Sequence, residues 1–311
     1  MNLILTERCD KRCSFCFTPA TKKTRGAVMG LETIAALLER FSSEDYQLLG
    51  GEPTQHPRFR QVLELFEERG KQASLVSNLL FDQETLDLVL AHLDLFQGRW
   101  ILANAMELDQ QDRLPAWRDN FLALRAQGYE CQAAITITPG NIGQILEYTR
   151  ALHREVGLKR LRVGLDLYGN AGWVVRNREI GDVFAQLDAL GRELDFSFSC
   201  DCQVPFCVNQ QRQPWHSVTR CSSPPLDVFP DRSACYCYPL KRSIRHGDVL
   251  EHQSSDTLHG WFSHAYLERQ LKRRARRELP AACLDCAHYI CGDCCICLGA
   301  MSKPPRTKQR R

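Results

Sequence analysis

The sequence predicts an α/β chain built on a parallel sheet and followed by a small cysteine-rich segment. Three observations carry this. From residue 3 to about 195, short β-branched or apolar runs alternate with longer stretches of helical period, six times over. After about residue 196 the alternation stops, and Pro and Cys become frequent. The 311 residues are 44% hydrophobic and 25% charged, enough apolar content for a buried core and too much for a disordered polymer.

Taken in order, the expected strands are Leu3–Thr6, Tyr46–Leu49, Ala73–Ser77, Trp100–Ala103, Ala133–Thr138 and Arg160–Asp166. Between them lie amphipathic stretches at Leu31–Phe41, Arg58–Gly70, Gln83–His92, Pro115–Gln127, Ile142–Val156 and Ile180–Leu194. The second and fourth end at Gly70 and Gly128, the glycine stop expected after a helix. Such units argue for parallel strands joined by right-handed crossovers, in either a doubly wound sheet or an incomplete barrel. Beyond residue 196 few runs could form a packed core, so that part reads as a loop-rich domain held by its ligands. One helix, Trp261–Leu279, interrupts it, and its end is basic through Lys272, Arg273, Arg274, Arg276 and Arg277. The polar, basic residues 303–311 read as a disordered tail.

No apolar run approaches the roughly 18 to 20 residues that span a bilayer, and the first residues lack the features of a signal peptide. A cytoplasmic location is therefore expected. The 16 cysteines then stand out, because a cytoplasmic chain does not rely on disulfides; metal or iron-sulfur ligation becomes their leading use. Cys9, Cys13 and Cys16 form a triplet, Cys131 stands alone in an apolar run as an expected core residue, and twelve fall between Cys200 and Cys297. Charge is uneven as well: residues 241–311 hold 14 Lys and Arg against 7 Asp and Glu, so an overall charge of +3 hides a basic C-terminal end. The nine His are dispersed, none in the spacing of a triad, and are expected to be structural.

The triplet has the spacing C-x3-C-x2-C and follows the first strand, on the loop at its C-terminal end. Three thiolates can hold a 4Fe-4S cluster while leaving one iron open to a substrate or cofactor. A zinc site would usually supply a fourth Cys or His nearby, and none follows before His56. With Phe15 just before the last Cys, and Gly50-Gly51-Glu52-Pro53 after the second strand, residues 1 to about 195 resemble the radical S-adenosylmethionine (SAM) enzymes.

The resemblance implies a partial (β/α)6 TIM barrel, with cluster and SAM at the C-terminal ends of the strands, where barrels place their chemistry. SAM would chelate the open iron, and an electron from the cluster would cleave it to a 5'-deoxyadenosyl radical that abstracts a substrate hydrogen. The protein supplies positioning and the exclusion of water. Gly50, Gly51 and Glu52 carry over as the SAM amino-group segment, its glycines allowing close backbone approach. Ser77 and Asn78 match a polar position facing the ribose, and Phe15 would pack beside the adenine. Many relatives have Ser-x-Asp where this chain has Asn104-Ala105-Met106, which leaves Asn104, Arg113 and Arg118 as candidates for the SAM carboxylate.

After Cys221, the segment Val228–Pro239, which contains Cys237, resembles the hairpin that opens the auxiliary-cluster domain called SPASM, with Arg232 where Gly is usual. Cys283-x2-Cys286-x4-Cys291-x3-Cys295 follows, against a family spacing of C-x2-C-x5-C-x3-C, and then Cys297. The resemblance implies one or two auxiliary 4Fe-4S clusters. Cys221, Cys237 and Cys295, with one of Cys200, Cys202 or Cys207, would hold the first; Cys283, Cys286, Cys291 and Cys297 would hold the second. A zinc knuckle over Cys283, Cys286, Cys291 and Cys294 is the competing reading. In sulfatase-maturing relatives an acid acts as base after the hairpin Cys; Tyr238 stands there, which disfavours that chemistry and leaves Tyr238 as a proton- or radical-relay candidate or a packed aromatic.

Domains are therefore expected at 1–195 (radical SAM core), 196–302 (SPASM-like) and 303–311 (basic tail). The expected function is hydrogen abstraction that modifies a ribosomally made peptide, with a flavodoxin- or ferredoxin-type electron donor. Only eight residues precede Cys9, so a leader peptide would dock on the basic helix or on a separate leader-binding protein. The alternatives are a radical SAM enzyme acting on a small molecule in cofactor or natural-product biosynthesis, and a non-catalytic metal- or nucleic-acid-binding module. No membrane partner is expected, and nucleic acid is disfavoured.

Overall fold

The computed structural model describes residues 1–16, 26–42, 44–96, 98–105, 112–166, 173–174, 177–200, 225–236 and 244–275. All six expected strands form, with bounds within two residues of expectation: β1 Asn2–Thr6, β2 Tyr46–Gly50, β3 Ala73–Ser77, β4 Ile101–Asn104, β5 Cys131–Ile137 and β6 Arg160–Leu165. The helices between them are α1 Leu31–Arg40, α2 Phe59–Glu68, α3 Gln83–Ala91, α4 Leu114–Ala126, α5 Ile145–Val156 and α6 Glu179–Leu194. The first turn of the fifth stretch, Ile142–Gln144, is 3-10 rather than α.

Local pattern explains these elements. In α2, Phe59, Val62, Leu63 and Phe66 recur at helical spacing and all are buried. In β5 every second residue, from Cys131 to Ile137, is buried, the period of a pleated strand. Asp82 caps α3 by accepting from the Thr85 amide at 2.9 Å. The core runs between sheet and helices, with Trp117 and Phe121 of α4 and an edge-on Tyr46–Phe66 pair at 5.6 Å.

Strand order decides between the two architectures that the repeat count allowed. With β7 at Ser197–Cys200, β8 at Leu226–Val228, β9 at Ala234–Tyr236 and β10 at Arg245–His246, the order among the described residues is β10-β9-β8-β1-β2-β3-β4-β5-β6-β7, with β1 to β6 in simple sequence. A doubly wound sheet reverses its order at a switch point; here each unit adds on the same side, the winding of a barrel. Its edges are β7 and β10, so the barrel is partial.

The parallel alternation runs further than expected. β7 (Ser197–Cys200) pairs parallel with β6, and β8 (Leu226–Val228) pairs parallel with β1. β9 (Ala234–Tyr236) and β10 (Arg245–His246) extend that edge antiparallel. These strands have two to four residues, too short to show a period. What secures β8 is long-range: the buried Asn2 amide donates to Asp227 Oδ1 at 2.7 Å. The C-terminal helix α7 spans Ser255–Ala275, starting six residues before the apolar pattern suggested. The Ser254 hydroxyl accepts from the Thr257 amide at 3.3 Å, a polar start that hydrophobic period does not reveal.

Candidate active site

The C-terminal end of β1 leads straight into the cysteine loop. Cys9, Cys13 and Cys16 are each half-buried. The Cys16 amide donates to the Cys13 carbonyl at 3.1 Å, making a tight turn that holds Phe15 half-buried. Past the loop the chain returns beside β1, with the Met29 amide on the Leu5 carbonyl at 2.8 Å and the Glu7 amide on the Ala27 carbonyl at 2.9 Å.

The Gly50-Gly51-Glu52 segment packs on the base of this loop. The Gly51 amide donates to the Thr6 carbonyl and the Glu52 amide to the Arg8 carbonyl, both at 2.7 Å. A Cβ on Gly50 would stand 2.3 Å from the Thr6 oxygen, and one on Gly51 would stand 2.1 Å from the Arg8 oxygen. The two glycines therefore let the end of β2 press against the backbone leading to Cys9. Sequence reasoning expected close approach by a ligand; the close approach seen here is between two strand ends.

Glu52 is buried, and its carboxylate is the hub of the strand ends. Oε1 accepts from Ser77 Oγ at 2.8 Å and Thr54 Oγ1 at 2.9 Å, and Oε2 accepts from the Asn78 amide at 2.7 Å. Burial pushes the Glu52 carboxyl up to about 7, against the opposing pull of the donors from Asn78, Ser77 and Thr54. Ser77 Oγ also accepts from the Leu79 amide at 3.0 Å. Leu79 adopts a left-handed φ of +52°, a strained state for a branched side chain, and Asn120 Nδ2 holds its carbonyl at 2.9 Å.

Asn78 reaches the cysteine loop itself: its Nδ2 donates to Asp10 Oδ1 at 2.8 Å, while Arg113 Nη2 donates to Asp10 Oδ2 at 2.7 Å. Lys11 is buried, and its Nζ donates to the Ala105 carbonyl at 2.7 Å and the Asn104 carbonyl at 3.5 Å. The structure thus gathers Cys9, Cys13, Cys16, Phe15, Gly50, Gly51, Glu52, Ser77, Asn78, Asn104 and Arg113 at one end of the sheet, the C-terminal ends of β1 to β4. Arg118 is engaged elsewhere, with Asp119 at 2.8 Å and Glu155 at 3.2 Å.

Asp10 and Lys11 escaped the sequence reading. Their place inside the triplet was a signal, but their partners lie 68 to 103 residues away. Met106, Cys202, Cys207, Cys221, Cys237, Tyr238, Cys283, Cys286, Cys291, Cys294, Cys295 and Cys297 lie outside the described residues. Cys131 is buried in β5 and Cys235 in β9. Arg232 closes the β8–β9 hairpin at a φ of +63°, the left-handed state that suits Gly, and it pairs with Asp248 at 2.7 Å.

Among the described residues, no three or more His, Cys, Asp or Glu side chains converge as ligands of a single metal ion. A 4Fe-4S cluster makes a different demand: each Cys binds its own iron, so the sulfurs stand further apart than ligands of one ion. Three half-buried cysteines on one fastened loop, each able to supply a thiolate to its own iron, fit that group. No described helix is long and apolar enough to cross a membrane.

Residues 3–97 match the family model of the Radical SAM superfamily. No curated protein matches the sequence. Among solved structures, Streptococcus suis SuiB bound to precursor peptide SuiA is 14% identical, with a TM-score of 0.63 over 84% of this chain and 64% of that one. SuiB bound to S-adenosylmethionine is also 14% identical, with a TM-score of 0.59 over 83% of this chain and 64% of that one. Native anSMEcpe with bound AdoMet and Cp18Cys peptide is 12% identical, with a TM-score of 0.62 over 94% of this chain and 87% of that one. The chain therefore spans 64% of the SuiB length, and at these identities the likeness is one of fold.

Proposed function

From a chain whose residues 3–97 match the Radical SAM family model, we propose an enzyme that reductively cleaves S-adenosylmethionine and abstracts a substrate hydrogen to modify a ribosomally made peptide. The observation that carries it is the union of the three thiols with the Gly50-Gly51-Glu52 segment, fastened by two 2.7 Å hydrogen bonds at the barrel's C-terminal mouth. A 4Fe-4S cluster on Cys9, Cys13 and Cys16, with SAM on its fourth iron, would supply the electron that yields a 5'-deoxyadenosyl radical.

The chain's own residues do the rest. The thiolates of Cys9, Cys13 and Cys16 would hold the cluster. Gly50 and Gly51 let β2 brace the loop from below, and Glu52 fixes the amide of Asn78 and the hydroxyl of Ser77. With both of those side chains engaged in the protein, we assign them to shaping the wall of the SAM site. Asn104 contributes the mouth of β4, and Phe15 flanks the adenine. Arg113, whose partner Asp10 lies within the cysteine loop, stands nearer the site than Arg118, whose partners Asp119 and Glu155 lie away from it, and is the better candidate for the SAM carboxylate.

A peptide substrate is supported by the similar folds captured with peptides, SuiB with SuiA and anSMEcpe with Cp18Cys. The SPASM-like reading of residues 196–302, with Cys221, Cys237, Cys283, Cys286, Cys291, Cys295 and Cys297 on one or two auxiliary clusters, belongs to the same proposal. So do Tyr238 as a relay, a flavodoxin- or ferredoxin-type donor, and a leader-binding partner. A cytoplasmic setting suits it, because thiolate-held clusters persist where thiols stay reduced.

The test is anaerobic reconstitution followed by dithionite and SAM. Wild-type protein should form 5'-deoxyadenosine, Cys13→Ala should form none, and Cys286→Ala should keep at least uncoupled cleavage. Normal cleavage by Cys13→Ala would sink the assignment. A mass change in a peptide encoded beside the gene, coupled to 5'-deoxyadenosine, separates the peptide reading from a small-molecule substrate.

A further inference from the structure

The loop that carries the thiols is fastened by residues that are not themselves ligands. Between Cys9 and Cys13 stand three residues, and two of them are tied down. Asp10 is gripped from two sides, by Asn78 Nδ2 at the end of β3 and by Arg113 Nη2 at the start of α4. Lys11 is 2% exposed and reaches across to the end of β4, its Nζ 2.7 Å from the Ala105 carbonyl. Behind them the Glu52 amide holds the Arg8 carbonyl. Four separate elements thus converge on the stretch Arg8–Lys11.

A buried ammonium is an unusual choice for fastening a loop. Removing an ammonium from water is costly unless partners are placed around it, which ties the loop to the groups that meet it. An apolar side chain of similar length would fill the same space without that requirement. What the ammonium provides is direction, since its hydrogen bonds fix the loop backbone relative to the end of β4 in a way that apolar packing does not.

We infer that Lys11 and Asp10 are positioning residues, which hold the backbone between Cys9 and Cys13 in the geometry that receives the cluster. The inference rests on Cys9, Cys13 and Cys16 being the cluster ligands. Spacing two thiolates beforehand removes the ordering entropy that cluster binding would otherwise have to overcome. Loss of the Lys11 strut should therefore weaken retention of the cluster and broaden its spectrum, beyond any effect on the stability of the fold.

The experiment compares full-length wild type, Lys11→Met and Asp10→Ala after anaerobic reconstitution. The readouts are chelator-driven iron loss, the electron paramagnetic resonance spectrum of the reduced protein with and without SAM, and thermal unfolding of the iron-free protein. The SAM-dependent part of the spectrum isolates the cluster with the open iron from any other. Lys11→Met should lose iron from that cluster about tenfold faster, the size expected for losing one hydrogen bond from a charged donor. Its SAM-dependent signal should broaden, and its iron loss should exceed what any change in the melting temperature of the iron-free form accounts for. Asp10→Ala should shift iron loss in the same direction. Unchanged iron loss and spectrum in both variants overturns the inference, as does iron loss that merely follows a lowered melting temperature. A wild-type protein whose spectrum ignores SAM overturns the parent reading instead.

Discussion

Replacing Glu52 by Gln tests whether the hub of the strand ends is held at a cost in free energy. Burial lifts this carboxyl from an ordinary 4.5 to about 7, while the hydrogen bonds from Asn78, Ser77 and Thr54 pull it back down. Below pH 4.5 the group is neutral in both folded and unfolded chains, and no penalty arises. Between 4.5 and 7 the unfolded chain has released its proton while the folded chain keeps it, so stability falls as pH rises. Above 7 both are ionised and the penalty is complete. At about 1.4 kcal/mol per pH unit, this amounts to roughly 2 to 3 kcal/mol between pH 5 and pH 8. Gln keeps an oxygen for Ser77 and Thr54 but turns an amide toward the Asn78 N–H, a fixed loss of about 1 to 3 kcal/mol that does not depend on pH. Urea unfolding of the iron-free protein, followed by fluorescence, should show the deficit of Glu52→Gln shrinking by 2 to 3 kcal/mol (roughly, as above) from pH 5 to pH 8. A deficit that stays constant, or grows with pH, would refute the reasoning and show that the donors hold Glu52 ionised throughout.

Two further outcomes follow from the same geometry. Gly51→Ala places a methyl 2.1 Å from the Arg8 oxygen, so the ends of β1 and β2 must part; a loss of roughly 1 to 3 kcal/mol is expected, read as a lower melting temperature with poorer iron retention. In Cys131, burial pushes the thiol up to about 12, so at pH 8 only about one molecule in ten thousand carries the reactive thiolate. Iodoacetamide should therefore label Cys9, Cys13 and Cys16 of the iron-free protein and spare Cys131, as read by peptide mass spectrometry; equal labelling would contradict its burial.

Much of the core was legible because its signals are local. Alternation in β5 and the helical stripe of α2 follow from which face each residue must bury, and both are visible within a dozen residues. The cysteine triplet is likewise a local pattern, as is the expectation that Cys131 is a core residue. Arg232 is an instructive case. The hairpin resemblance marked it as an Arg in place of Gly, and its left-handed φ shows the turn that makes Gly the easier residue there. Less legible were the short strands β8 to β10, whose pairing rests on contacts such as Asn2 with Asp227. The dispersed histidines belong with them: His259 bridges Glu44 at 2.9 Å and the Tyr236 hydroxyl at 3.0 Å, docking α7 on β9 through partners far apart in sequence.

The sequence by itself determined β1 to β6 and the helices that follow them, the parallel class of that part of the sheet and the thiols that mark the site, because side-chain burial period and ligand spacing are written over short stretches. The repeat count left a doubly wound sheet open and the family resemblance implied a partial barrel; the tertiary structure bears out the barrel, its units winding in one direction. It alone showed that Gly51 serves a strand-to-strand contact and that Asp10 and Lys11 fasten the cysteine loop to the ends of β3 and β4. The reason is the same in each case: these are contacts between segments tens to a hundred residues apart, and local chemistry gives each group a need for a partner without saying where the fold will supply one.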